Sequence, residues 1–298
     1  MGEKDITEKN LEALNDVFAD IINVLLFNGE QIINEKELEA DHSKSMLKVD
    51  GKIHEQERDV SKFWKKGEIR ISILGLENQT SQDSDMPLRI ISYDGANYKQ
   101  QYMDKRNKKR YPVVTLVLYF GIEEKWSCTR SLYDCFRNIP EQLKPFVSNY
   151  KINVFNIAWL SEEKIKLLKS DFKYIVQYLR IKRLHKKYKG SKEKLAHANE
   201  TLKMFSALTG DDSFERIYNE NNFEHGGVSM CDLVERIRDE GRNEGRTEGI
   251  TEGRNEATEE LIRNLIDSRA GSIEQIAAWV KLPADYIRKI VNELSVKA

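Results

Sequence analysis

The sequence predicts an α/β fold followed by an α-helical C-terminal region, on three observations. Ile69 to Leu76 (Ile-Arg-Ile-Ser-Ile-Leu-Gly-Leu) has the β-branched content and turn-bounded length of a strand. Val113 to Phe120 is an uninterrupted apolar run of the kind that a central strand covered on both faces requires. Around these strands the apolar residues recur at helical spacing, at Leu14, Val17, Phe18, Ile21 and Leu25, and again at Phe172, Ile175, Val176 and Leu179.

In chain order, Leu11 to Phe27 reads as an amphipathic helix whose polar positions include Asp16 and Asp20. Arg58-Asp59-Val60-Ser61-Lys62-Phe63-Trp64 is a second strand, and Lys65-Lys66-Gly67-Glu68 is the turn that would pair it with the strand beginning at Ile69. Asp85-Met86-Pro87 opens the next helix, because proline is tolerated at the first helical positions. That helix continues through Arg89 to Tyr102, and Arg89, Tyr93 and Asn97 share one of its faces. The basic stretch Lys105-Arg106-Asn107-Lys108-Lys109-Arg110 then leads into the apolar strand, and Ile152 to Leu160 is a further apolar segment. From there the chain turns helical, with Ser161-Glu162-Glu163-Lys164 as a cap.

The 298 residues suffice for one large domain with appendages and a sizeable core. A formal charge of -1, from 48 basic and 49 acidic residues, gives no global nucleic-acid signature, so any DNA affinity must come from local patches. The stretch from Lys105 to Arg110 is the best such patch, as a phosphate-contacting loop or as a merely solvated one; Arg180 to Lys194 offers the same choice. Three cysteines, Cys128, Cys135 and Cys231, form no CxxC pair, which argues against a disulfide framework or a structural zinc site and suits a reducing cytoplasm. His185, His197 and His225 lack metal-ligand spacing, and the apolar run from Ile21 to Phe27 is too short to span a membrane. The expectation is a soluble cytoplasmic protein.

Near the C-terminus, Glu240-Gly241-Arg242, Glu244-Gly245-Arg246, Glu248-Gly249-Ile250 and Glu252-Gly253-Arg254 repeat with a period of four. On a helix each residue class forms a slowly drifting stripe, with Glu and Arg about 200° apart and Gly between them. Four interior glycines at about 1 kcal/mol each make an isolated helix costly. The repeat is therefore either a flexible charged linker or a homo-oligomerisation helix in which the Glu stripe of one copy meets the Arg stripe of another. Ala257 to Ser268 forms a further helix, and Ser272-Ile273-Glu274-Gln275 and Leu282-Pro283 mark two more that resemble a helix-turn-helix. Its second helix carries Asp285, Arg288 and Lys289 and is not notably basic, so DNA contact and protein docking are both open.

The candidate chemistry lies at Asp59 and Glu77-Asn78-Gln79. Residues two apart on a strand share a face, so Glu77 and Gln79 project together, and hairpin pairing across the Lys65 to Glu68 turn can bring Asp59 to them. Two hard carboxylate ligands suit Mg²⁺ or Mn²⁺, which keeps several waters and can polarise a phosphodiester while activating water.

This arrangement resembles the PD-(D/E)XK nuclease superfamily, and more closely the recombination-promoting nuclease, or putative transposase, family. The likeness covers roughly the first half of the chain. It rests, in order, on Asn15-Asp16-Val17-Phe18-Ala19-Asp20, Gln56-Glu57-Arg58-Asp59-Val60, Gly75-Leu76-Glu77-Asn78-Gln79-Thr80, Met86-Pro87-Leu88-Arg89 with Tyr93-Asp94-Gly95, and Tyr111-Pro112-Val113 through Gly121. The resemblance implies a restriction-endonuclease-like core, a mixed central sheet flanked by helices, and a Mg²⁺- or Mn²⁺-dependent DNA endonuclease acting on recombining or mobile DNA. It makes Asp59 and Glu77 the metal ligands, aided by Asp20 or Asp16. Gln79 occupies the place usually held by lysine; a neutral amide supplies no positive charge, so it would orient the attacking water. Arg89, Tyr93, Lys105, Arg106, Lys108, Lys109 and Arg110 are the candidate DNA contacts. A catalytically inactive DNA-binding or oligomeric scaffold that keeps the fold is the alternative. The expected organisation is a nuclease-like domain over 1–160, a helical extension over 161–235, the repeat over 236–256, and a small helical unit over 257–298.

Overall fold

The computed structural model describes residues 11–40, 45–49, 52–56, 60–76, 82–105, 109–220 and 227–296. The chain divides into two compact units, Met1–Glu235 and Arg236–Ala298.

The first unit is α/β and is built on a mixed five-stranded sheet. Its strands are β1 (Leu38–Ala40), β4 (Val60–Trp64), β5 (Ile69–Leu76), β6 (Val113–Tyr119) and β7 (Asn153–Asn156), side by side in that order. A separate antiparallel hairpin joins β2 (Ser45–Val49) and β3 (Lys52–Gln56). β4 pairs antiparallel with β5, with Val60 opposite Ile73 and Trp64 opposite Ile69. β5 then pairs parallel with β6, from Arg70 opposite Val113 to Leu76 opposite Tyr119. A parallel pair needs a crossover, and helix α2 (Met86–Met103) supplies it. The apolar run of β6 is buried along almost its whole length, as a central strand requires.

The β4–β5 turn is held by a close packing of glycine and tryptophan. A Cβ on Gly67 would lie 2.2 Å from the Trp64 ring, and that ring is fixed by its Nε1, which donates to Glu37 Oε2 at 2.8 Å. Only glycine fits beneath it. Helix α1 (Asn15–Phe27) lays Val17, Phe18, Ile21, Ile22 and Val24 into the core, each fully buried. At about 1.5–3 kcal/mol per large apolar side chain, this stripe is the main reason α1 is docked. Its C-terminus is closed by Asn28 in the left-handed region.

Beyond β6 an irregular stretch over 121–151 covers α2: Trp126 and Tyr119 meet edge to face, centroids 5.5 Å apart, in a cluster with Met86, Ile90 and Tyr93. Four helices complete the unit's described residues before the boundary region: α3 (Glu162–Leu167), α4 (Phe172–Arg183), α5 (Ala198–Thr209) and α6 (Ser213–Glu220). Ser161 caps α3 by accepting from Lys164 N at 3.3 Å. Tyr178 of α4 packs edge to face on Phe205 of α5 at 5.1 Å.

Helix α7 (Met230–Asp267) is continuous and contains the whole Glu-Gly-Arg repeat, so these residues are helical in place of an irregular linker. Its middle is solvent-exposed, and among the described residues a Cβ placed on Gly241, Gly245, Gly249 or Gly253 would meet nothing within 4 Å beyond the adjoining residues and backbone of its own helix. The second unit closes around Ile262 of α7, Ile276 and Ala277 of α8 (Ile273–Val280), and Ile287 and Ile290 of α9 (Ala284–Val296). Ser272 and Gln275 form the capping box expected for α8. No helix among the described residues is long and apolar enough to cross a membrane.

Candidate functional site

Antiparallel pairing brings the N-terminal end of β4 and the C-terminal end of β5 to the same edge of the sheet. Asp59 precedes Val60 by one residue, and Glu77 follows Leu76 by one. Asp59, Glu77 and Gln79 themselves lie outside the described residues, as do Arg106 and Lys108.

Arg89 and Tyr93 lie on the N-terminal half of α2, which begins at the sheet edge where β5 and β6 end. Arg89 Nη1 is 3.0 Å from Asp83 Oδ2, with the arginine side chain 42% exposed. Burial works against its charge, but the hydrogen bonds and charges of Tyr93 and Asp83 together outweigh it and hold Arg89 above its ordinary pKa. Arg89 is thus a stationary cation with one open side. Tyr93 is only 9% exposed and belongs to the apolar cluster beneath α2, so it orients Arg89 from inside.

The basic stretch sits elsewhere. α2 runs antiparallel to the strands it connects, so its C-terminus and residues 109–112 lie at the entry to β6, beside Arg70. Lys109 Nζ reaches Glu68 in the β4–β5 turn at 2.9 Å, and Lys105, Lys109 and Arg110 are exposed. From Arg70 to Leu76 is six strand steps, about 20 Å at 3.3 Å per residue. The parallel register puts Lys105, Lys109 and Arg110 at the opposite end of β5 from Arg89.

The two acids of α1 are both engaged. Asp20 is 6% exposed, and its Oδ2 accepts from the backbone N–H groups of Lys169 at 2.9 Å and Ser170 at 2.7 Å. Its Oδ1 is buried with no hydrogen-bond partner among the described residues. Asp16 Oδ2 meets His197 Nε2 at 2.7 Å. The structure gives each a partner far along the chain. Both line a polar cleft of about 400 Å³ with Asn23, Lys36, Lys169 and Ser170. Asn23 is itself buried, donating to Ile33 O at 2.8 Å and accepting from Ile32 N and Ile33 N. Among the described residues, no group of three or more His, Cys, Asp or Glu side chains is placed to hold a metal ion.

Lys62 escaped the sequence reading. It is 4% exposed, donates to Asn15 Oδ1, and lies 5.7 Å over the Phe18 ring. Burial pushes its ammonium pKa down, with Asp16 pulling partly the other way. Strand alternation carried the signal, since Lys62 falls on the same inward face as Val60. Asp94, 1% exposed, was likewise missed: it accepts from Thr115 Oγ1 at 2.7 Å and from the Tyr150 hydroxyl, tying α2 to β6 and to the irregular stretch. In the second unit, Arg288 is held by Glu274 at 3.1 Å and Asp285 at 2.8 Å.

Compared with curated proteins and with solved structures, the chain matches none. A family model does match, over residues 32–207, with the description "Putative transposase, YhgA-like". That span is more than half of the chain and takes in the whole five-stranded sheet with α2, α3 and α4. The chain belongs to this YhgA-like transposase family.

Proposed function

We propose that the protein is a divalent-metal-dependent DNA endonuclease of PD-(D/E)XK type, acting on recombining or mobile DNA. The observation that carries this reading is the antiparallel β4–β5 pair, whose two chain ends next to Asp59 and Glu77 emerge at one edge of a mixed sheet. Membership of a transposase family supports DNA as the substrate.

In this reading Asp59 and Glu77 hold the ion, and their carboxylate oxygens are the hard donors that Mg²⁺ or Mn²⁺ takes. When bound, the ion polarises the scissile phosphodiester and acidifies a water. Gln79, two residues beyond Glu77, orients that water through its amide. Arg89, at the sheet edge where β5 ends, contacts a phosphate with its exposed side while Asp83 and Tyr93 fix its direction. Asp20 or Asp16 of α1 would help from outside, as the resemblance implies; Asp20 Oδ2 serves the turn at Lys169 and Ser170, and Asp16 Oδ2 meets His197. The exposed repeat on α7 is the surface through which a second copy would associate.

Plasmid nicking tests the assignment. Nicking in Mg²⁺ that EDTA abolishes and that Asp59→Ala and Glu77→Ala each reduce by orders of magnitude is the expected result. Metal-dependent cleavage that survives Asp59→Ala unchanged would sink the site.

A further inference from the structure

We propose that the C-terminal end of α2 and residues 109–112, which lead into β6, form a stacking platform for single-stranded nucleic acid, separate from the proposed cleavage site. This rests on the reading of DNA as the partner.

Three large apolar side chains are exposed within one and a half turns of helix: Tyr98 at 45%, Tyr102 at 79% and Met103 at 65%. Isolated exposures of this kind are ordinary, but a cluster marks a contact surface. Tyr98 and Tyr102 are four residues apart and therefore stand on one face, a helical turn from each other. The platform is held stiffly. The Tyr98 hydroxyl accepts from Val113 N at 3.0 Å. Gln101, buried one position before Tyr102 in the chain, donates to Tyr111 O at 3.1 Å and accepts from Tyr111 N at 2.9 Å, which fastens the helix end to the incoming strand. A ring already fixed, as that of Tyr98 is, loses little freedom on binding.

Charge selects the occupant. From Lys99 to Arg110 there are six basic residues and one acid, Asp104. Lys99, Lys105 and Arg110 are exposed, and the hydrogen bonds of Gln101 lay the strand-entry segment that begins with Arg110 beside the tyrosines. An apolar patch alone would suit a protein, whereas aromatic rings flanked by cations suit a polyanion with flat, stackable groups. Unpaired bases meet that description, and a duplex does not, because its base faces are already stacked on one another. The platform lies about 20 Å from the end of β5, the length of six strand steps, so it would hold a strand at a distance from the cut.

The test is fluorescence anisotropy of a labelled oligothymidylate with the full chain in EDTA, where no cleavage occurs. Tyr102→Ala removes a ring that is 79% exposed, and the expected loss of affinity is roughly 5- to 150-fold, the equivalent of about 1–3 kcal/mol for one stacked base. Tyr102→Phe restores binding, and Lys105→Gln lowers the salt dependence for single strands. The proposal is overturned by unchanged binding in Tyr102→Ala, by an equal loss on duplex of the same length, by a Tyr102→Phe variant as weak as the alanine, or by a wild-type chain that does not bind the oligonucleotide. Tyrosine-dependent binding by a chain that never cleaves in Mg²⁺ would reject the endonuclease reading and leave the platform standing. Cleavage with no tyrosine dependence of binding would do the reverse.

Discussion

Asp20→Ala separates a structural carboxylate from a metal ligand. Asp20 Oδ2 serves two backbone N–H groups, of Lys169 and Ser170, and thereby pins the turn before α4 to helix α1. Removing the acceptor orphans both donors. An unsatisfied buried donor costs about 1–3 kcal/mol, and the adjoining polar cleft lets water reach these two, so the lower part of that range applies: about 2–4 kcal/mol for the pair. For a unit of this size 1 kcal/mol corresponds to roughly 2–4 °C, which gives a fall in Tm of about 4–16 °C. Asp20→Asn keeps an acceptor for both N–H groups and should cost less than half as much. The assay is thermal unfolding in EDTA, where a role in metal binding contributes nothing. An Asp20→Ala protein that melts with the wild type in EDTA, and differs from it only when Mg²⁺ is added, would refute the reasoning and restore Asp20 as a ligand.

Lys62 gives a pH dependence with a defined sign. Its folded pKa lies below the ordinary 10.5, so the unfolded chain binds this proton more tightly, and stability rises with pH across the window between the depressed value and 10.5. Lys62→Met removes that contribution, so urea denaturation of the variant should show a flatter profile between neutral pH and about pH 10. Parallel profiles for the two proteins would show that Lys62 is charged and unperturbed. On α7, a Cβ at Gly245 or Gly249 meets nothing, and the double change Gly245→Ala, Gly249→Ala should stabilise the helix by about 1–2 kcal/mol, seen as greater far-ultraviolet ellipticity. Methyl groups there would also hold two glycine faces apart, so sedimentation should show a weaker dimer even as the helix strengthens. A dimer that tightens would rule out close packing through that face.

The strands and α2 could be read from the sequence because their signals are local. The Ile69 to Leu76 run is bounded by a turn four residues long, Pro87 marks the start of α2, and the apolar continuity of β6 can only belong inside a sheet. The partners of the α1 acids could not be read. His197 is 181 residues from Asp16, and Ser170 is 150 from Asp20, so nothing in a local window distinguishes these carboxylates from solvated ones. The hairpin of β2 and β3 went unseen because Ser45–Val49 and Lys52–Gln56 carry too many polar residues for a clean alternation. The basic stretch was legible as a sequence feature but its place in space was not, since which end of a strand a loop occupies depends on whether the next pairing is parallel. For α7, propensity counted the glycines correctly. Helical continuity there comes with Leu233 buried in the first unit and Ile262 in the second, beyond either end of the exposed repeat.

The packing of Gly67 beneath Trp64 makes the β4–β5 turn a measuring device. With the ring tethered to Glu37 and no room for a side chain below it, the turn admits one length, and Glu68 next to it takes a left-handed backbone at φ 47°. Adding or deleting one residue there would slide β4 by one position against β5, which turns every side chain of the strand to the other face. The irregular stretch over 121–151 has no such gauge and can change length without altering the register of the sheet. A chain that has gained or lost a residue between Trp64 and Ile69 is therefore expected to pair β4 with β5 out of this register.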